Sequence, residues 1–323
     1  MRLSIGQMSE SVRFYRVQQP GELMGHEFLS AADRDADFWM DRIAMGQVPE
    51  LIHTNALMGE ARSYVDANHE AGSRLIADVD DLFDDVPPGN DAAAHAHGYR
   101  LGLYQSLLEE AEGVTCSTPF LADRFGGKVA PNFIDPNSFG WPARKSKKDD
   151  ECVILVPSAN GRAEDYLHIS KAMEEVIKLP HVKVVLMNFL QEWALPIGPP
   201  KVVFCRWVPF GEYPRMLAHM APDVIISPMI HHDFNLAKSN IKWLESGAVG
   251  ACFMGERWGE YQRTVQDGVT GILAEGVKEW TSRLRDICID VDLRRKVAKA
   301  GQAQVRNSWT WPAVEQQWRA AMM

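Results

Sequence analysis

At 323 residues, 46% hydrophobic and 24% charged, the chain has the composition of a folded globular protein and exceeds what one hydrophobic core usually serves, which predicts two domains. No apolar run approaches the roughly 20 residues that a bilayer needs, and the amino terminus lacks a signal-peptide core, so a cytoplasmic protein is expected. The net charge of −9 is uneven: residues 1–140 carry 10 Lys plus Arg against 22 Asp plus Glu, and the remainder 24 against 21, so the first part should repel nucleic acid and anionic lipid while the second suits a doubly anionic ligand.

Taken in order, the first half alternates strands and helices. Strands are predicted at Arg2–Ile5, Glu50–His53, Arg74–Asp78, Gly113–Ser117 and Lys128–Ala130. A helix is predicted over His95–Glu112, where Tyr99, Leu103, Leu107 and Leu108 recur at helical spacing. His95 and His97 flank or cap it, since a metal would need three or four converging ligands. After the apolar strand LIADV comes the acidic run DVDDLFDD, Asp78–Asp85, whose Asp81, Asp84 and Asp85 read as a solvated helix start. Residues 131–150, PNFIDPNSFGWPARKSKKDD, break the rhythm and read as an interdomain linker, with KSKK as its solvated part.

The second half restarts with a strand at Glu151–Val156, the loop PSANGRAED and a helix near Asp165–Ile177. Asn160-Gly161 permits a tight turn from which Arg162 can address phosphate. Strands at Val182–Met187 and Lys201–Cys205 lead into RWVPFGEY, where Trp207 and Phe210 either stack on a base or close the sheet edge. The five cysteines are scattered with no C-x-x-C pair and read as buried reduced thiols. No G-x-S-x-G, Walker loop or G-x-G-x-x-G is present, which sets aside serine hydrolases, P-loop NTPases and ordinary dehydrogenases.

The most informative stretch is DFNLAKSNIKWLESGA, Asp233–Ala248, between the short strand DVIISP and the apolar GACFMG. A strand, loop, helix and strand in that order place the loop at a sheet's carboxyl edge, where open α/β sheets bind ligands. With Lys238 and Glu245 on one helix, seven residues apart, they would lie two turns, roughly 10 Å, apart on one face. Lys238 and Ser239 would then meet phosphate at the helix start, and Glu245 would accept ribose hydroxyls. His231 and His232 precede this loop, where one of them is placed to touch the ligand.

With these segments, the chain resembles the GT-B glycosyltransferases, specifically the family 4-like (group 1) proteins. The resemblance rests, in order, on FYRVQQP (Phe14–Pro20), LIADVDDLF (Leu75–Phe83), VTCSTPFLADRF (Val114–Phe125), APNFID (Ala130–Asp135), DFNLAKSNIKWLESGA and YQRTVQDGVTGILA (Tyr261–Ala274). It implies an α/β fold of two Rossmann-like domains facing a cleft: an acceptor-side domain over residues 1–140, and a donor-binding domain over 141–307. The aromatic tail, residues 308–323, would cross back to the first domain, with Trp309 and Trp311 as packing anchors.

The resemblance further implies transfer of a sugar from a nucleotide-sugar donor to a hydroxyl of a glycan, protein or small molecule, with retention of configuration and without a metal. It places Lys238 on the diphosphate, Glu245 on the ribose and Asn235 on the sugar; beside these, Arg162 and Ser239 are expected on the diphosphate, and Asp233, Trp207 and Tyr261 on the donor side. Asp80 and Asp81 would orient or deprotonate the acceptor. Many family members carry paired glutamates eight apart; the first of these positions is Ala237 here, so Asp233 or Asn235 would serve in its place. Two further readings share the scaffold: a nucleotide-sugar-binding protein without transfer activity, and sugar transfer onto a hydroxylated nucleic-acid base, which the acidic first half disfavours.

Overall fold

The computed structural model describes residues 1–7, 9–55, 59–88, 90, 99–135, 140–142, 151–157, 162–187, 197–206 and 208–323. Trp207, the HAH segment, Asn160-Gly161 and the KSKK run lie outside the described residues.

Among the described residues, twelve strands form two parallel sheets. The first contains β1 (Arg2–Gly6), β2 (Glu27–Ser30), β3 (Leu51–Thr54), β4 (Arg74–Val79), β5 (Gly113–Cys116) and β6 (Lys128–Val129), in the order β2-β1-β3-β4-β5-β6. The second contains β7 (Cys152–Pro157), β8 (Val182–Met187), β9 (Val202–Cys205), β10 (Val224–Ser227), β11 (Cys252–Glu256) and β12 (Ile272–Ala274), in the order β12-β11-β10-β7-β8-β9. Helices cover both faces, so the inner strands are largely buried; every residue of β7 and of β10 is.

Both orders reverse direction once. In the first sheet the chain switches sides between β1 and β3; in the second, between β7 and β10. Loops leaving such neighbouring strands part in opposite directions and open a crevice at their carboxyl ends. The two crevices face each other.

Three segments tie the halves together. The helical stretch Glu10–Leu23, which runs through a π-helical turn at Phe14–Gln18, places Phe14 and Tyr15 in the core formed by Phe210, Tyr213 and Trp243 of the second half. Residues 131–135, the start of the segment read as an interdomain linker, are buried. Phe133 is the reason: its ring packs on Trp311 and Trp318 of the final helix, Trp311–Ala321. That helix returns to the first sheet, where Trp318 Nε1 donates to the Pro131 carbonyl at 2.9 Å.

The element boundaries bring further corrections. The helix expected over Asp165–Ile177 is two, Ala163–Leu167 and Ser170–Val176. Asp81, Asp84 and Asp85 begin no helix; residues 81–88 form turns, and Asp84 accepts from Arg124 at 2.7 Å. The described helix beyond His95 spans Tyr99–Glu110.

Candidate active site

The facing crevices enclose a cleft of about 260 Å³ lined from both halves. Tyr15, Arg16, Asp80, Asp81 and Asn132 contribute from one side, and Arg162, Lys238, Ser239, Lys242, Glu245 and Tyr261 from the other. The cations gather on the second side.

Arg162 follows β7, at the switch point. Its Nε donates to Asp165 at 2.9 Å, and its other nitrogens reach Ser227 Oγ and the Pro228 carbonyl at the end of β10. Burial opposes its charge, but the Asp165 carboxylate together with Tyr166 and Tyr261 outweighs that opposition, so the guanidinium is held protonated. Asp165 also accepts from the Ile230 amide at 2.8 Å and from Asn235 Nδ2 at 2.7 Å, so one buried carboxylate fixes three parts of the loop system. Tyr261 completes this wall by exchanging a 2.9 Å hydrogen bond with Ser227.

The Asp233–Ala248 stretch departs from the single helix expected of it. It contains a four-residue helix, Asp233–Leu236, a turn through Lys238, Ser239 and Asn240, and a second helix, Ile241–Val249. Lys238 therefore lies in the turn and not on the face of Glu245. Turn-forming Ser239 and Asn240 interrupt the backbone ladder, which is the physical reason for the break. Lys242 occupies the helix position beside Glu245: its Nζ donates to Glu245 Oε2 at 2.8 Å, as does the Tyr213 hydroxyl, also at 2.8 Å. Glu245 is 3% exposed, so this pairing neutralises a charge that burial would otherwise penalise. Tyr15 brings a buried hydroxyl toward it from the first half; burial, then the Glu245 charge, raises the pKa of that phenol.

On the opposite wall, Lys238 Nζ meets Asp81 Oδ1 at 2.7 Å across the cleft and lies 4.1 Å from the Phe234 ring centroid. Asp80 stands beside it with Oδ1 buried and without a hydrogen-bond partner. Burial, and then the charges of Asp81 and Asp78, push the Asp80 carboxyl up to about 8, so it holds its proton at neutral pH. Deprotonating an acceptor is thus a poor role for it; orienting one suits it. Asp78, two residues earlier, is the reverse: burial alone would raise it, but Arg16 and His53 hold it low.

Two expected donor residues do not face the cleft as foreseen. The Asn235 amide is committed to Asp165 and the Ile230 carbonyl, leaving no donor for a sugar. Asp233 is the exposed first residue of its short helix. Ala237 is fully buried against Val79, Leu82 and Leu121 of the first half, so a glutamate would not fit there. Phe210 borders the cleft, but its ring is enclosed by Phe14 and Tyr15, each 5.2 Å away, and by Tyr213. Of the two histidines, His232 caps the Asp233–Leu236 helix through Nδ1 and His231 stacks on Trp258 at 4.1 Å. No role was foreseen for Lys242, Tyr213, Asp165, Arg16 or Asn132, although Lys242 stands three residues before Glu245 and Arg16 and Asn132 fall in the segments FYRVQQP and APNFID.

Residues 170–320 match the family described as glycosyl transferase-like. No curated protein matches the chain. Among solved structures, Anabaena Alr3699/HepE in complex with UDP and glucose superimposes with a TM-score of 0.69 at 14% identity, over 100% of this chain and 99% of that one. Sucrose-phosphate synthase from Thermosynechococcus elongatus gives 0.70 at 15% identity, over 99% and 98%. A glycosyltransferase from Rickettsia africae gives 0.63 at 12%, over 99% and 97%.

Proposed function

We propose, for a chain that has the GT-B fold and matches the glycosyl transferase-like family over residues 170–320, that the cleft transfers a sugar from a nucleotide-sugar donor to an acceptor hydroxyl. The observation that carries this reading is the convergence of Arg162, Lys238 and Lys242 with the start of the Ile241–Val249 helix at one crevice, opposite Asp80 and Asp81. A leaving nucleoside diphosphate gains negative charge as the glycosidic bond breaks, and cations already positioned in a closed site stabilise that charge without reorganising. Lys238, Arg162 and Ser239 take the diphosphate; Glu245, with Oε2 occupied by Tyr213 and Lys242, offers Oε1 to a ribose hydroxyl. On the strength of the family resemblance, the transfer is taken to proceed with retention of configuration and without a metal. Asp80, protonated, orients the acceptor, a glycan or other hydroxyl compound.

Solved relatives of this fold were crystallised with UDP and with UDP-glucose, which makes uridine diphosphate sugars the first donors to test. A panel of nucleotide sugars, scored by release of nucleoside diphosphate with and without added acceptors and with a chelator present, tests the reading. Release from one donor, increased by an acceptor and unaffected by the chelator, is expected. Binding without release would leave a nucleotide-sugar-binding protein, and no binding would overturn the donor site.

A further inference from the structure

Asn132 bridges the two sides of the cleft, and its neighbour fixes the direction of that bridge. Its Oδ1 lies 3.2 Å from Arg16 Nη1, and its Nδ2 lies 2.8 Å from Ser239 Oγ. Arginine carries only donors, so the amide oxygen must face Arg16 and the amide nitrogen must face Ser239; the usual ambiguity of an amide disappears. Arg16 is itself locked. Its Nε and Nη2 bond to Asp78, Nη1 also reaches the Ala130 carbonyl, and the guanidinium lies 4.9 Å from the Trp318 ring centroid.

An amide nitrogen cannot accept, so Ser239 Oγ is the acceptor of this bond and the serine proton must point elsewhere. Ser239 lines the cleft next to Lys238. We propose that Arg16 and Asn132 form a polarity relay across the cleft that commits the Ser239 hydroxyl to donating, and that its acceptor is a donor diphosphate oxygen. This rests on the donor reading above. Because Asn132 and Ser239 belong to opposite halves, the relay operates only while the halves are closed together. Asn132 is then a positioning residue that couples closure to the grip on phosphate.

A purely structural Asn132 would affect every ligand alike and independently of Ser239. Calorimetric titration of N132A, S239A and the double variant with uridine diphosphate and with uridine separates the two cases. The relay predicts that N132A weakens uridine diphosphate binding about three- to tenfold, the range for one hydrogen bond, and leaves uridine unchanged. In the S239A background, N132A should have no further effect on the diphosphate. Equal weakening of both ligands, or additive effects of the two substitutions, overturns the relay. Should N132A fail to fold, N132D retains an acceptor for Arg16 but takes the serine proton, and unchanged diphosphate affinity in that variant overturns the relay equally. Wild-type protein that binds neither compound would instead defeat the donor reading, and the relay with it.

Discussion

Lys238 is placed from two directions, by Asp81 at 2.7 Å and by the Phe234 ring beneath its ammonium. Both partners are short of deep burial, with the Lys238 and Asp81 side chains 22% and 23% exposed, so their ion pair contributes little to stability. Against a leaving diphosphate the same ammonium matters far more. Lys238→Ala should lower kcat/KM by about 10²–10³-fold, as loss of one preorganised donor to a developing anion does, while the melting temperature stays close to wild type. Undiminished turnover would contradict its role. Asp80 yields a pH prediction. Its carboxyl stands at about 8 in the fold against an ordinary 3.8, so the folded chain binds this proton more tightly than the unfolded chain. Stability from that proton is complete below the unfolded value and is lost as pH rises through about 8. Asp80→Asn should therefore melt like wild type near pH 4 and above wild type in mildly alkaline buffer; a difference that does not grow with pH would refute the assignment. At this scale the sequence carried the residue types but not their partners. Lys238, Arg162, Ser239, Glu245 and Tyr261 all line the cleft, yet nothing local announces that Asp165, seventy residues away, occupies the Asn235 amide nitrogen.

Among elements, the Ile241–Val249 helix matters most, since it carries Lys242 and Glu245 and starts at the cleft. All residues from Trp243 to Val249 are buried, and its close partner is the helix Val291–Ser308. Gly247 permits that approach: a Cβ there would stand 2.5 Å from Val305 Cγ2 and 3.3 Å from the Gly301 carbonyl. Gly247→Ala should destabilise the protein by about 1–3 kcal/mol through overpacking, read as a fall in the denaturation midpoint at unchanged m-value. A shift within error would show that the helices can separate freely. Buried parallel strands were legible because their β-branched runs have no polar face to confuse them; Val182–Met187 was found at its observed bounds. The edge strand Glu27–Ser30 was missed, since its four residues, only two of them buried, are too few to carry a distinctive pattern. The helix break at Lys238 was missed for a related reason: a three-residue turn is overridden in any helical window by the apolar residues on either side.

For the molecule as a whole, closure depends on the return of the last helix. Trp318 is fully buried, donates to the Pro131 carbonyl and supports the Arg16 guanidinium, so it sits beneath the segment that carries Asn132. Trp318→Ala should cost about 3–5 kcal/mol and broaden the thermal transition, as the first sheet loses its cover. A sharp, unshifted melt would argue that the helix is dispensable. The tail's return was legible only through the family resemblance; the fold class was legible in the strand and helix alternation itself. The central claim is that one nucleoside diphosphate lies at the carboxyl ends of β7 and β10. A crystal structure with a nucleoside diphosphate sugar measures this directly. It should show phosphate oxygens against Lys238, Arg162 and Ser239, and a ribose hydroxyl on Glu245. Density for the ligand elsewhere, with those side chains untouched, would contradict the account.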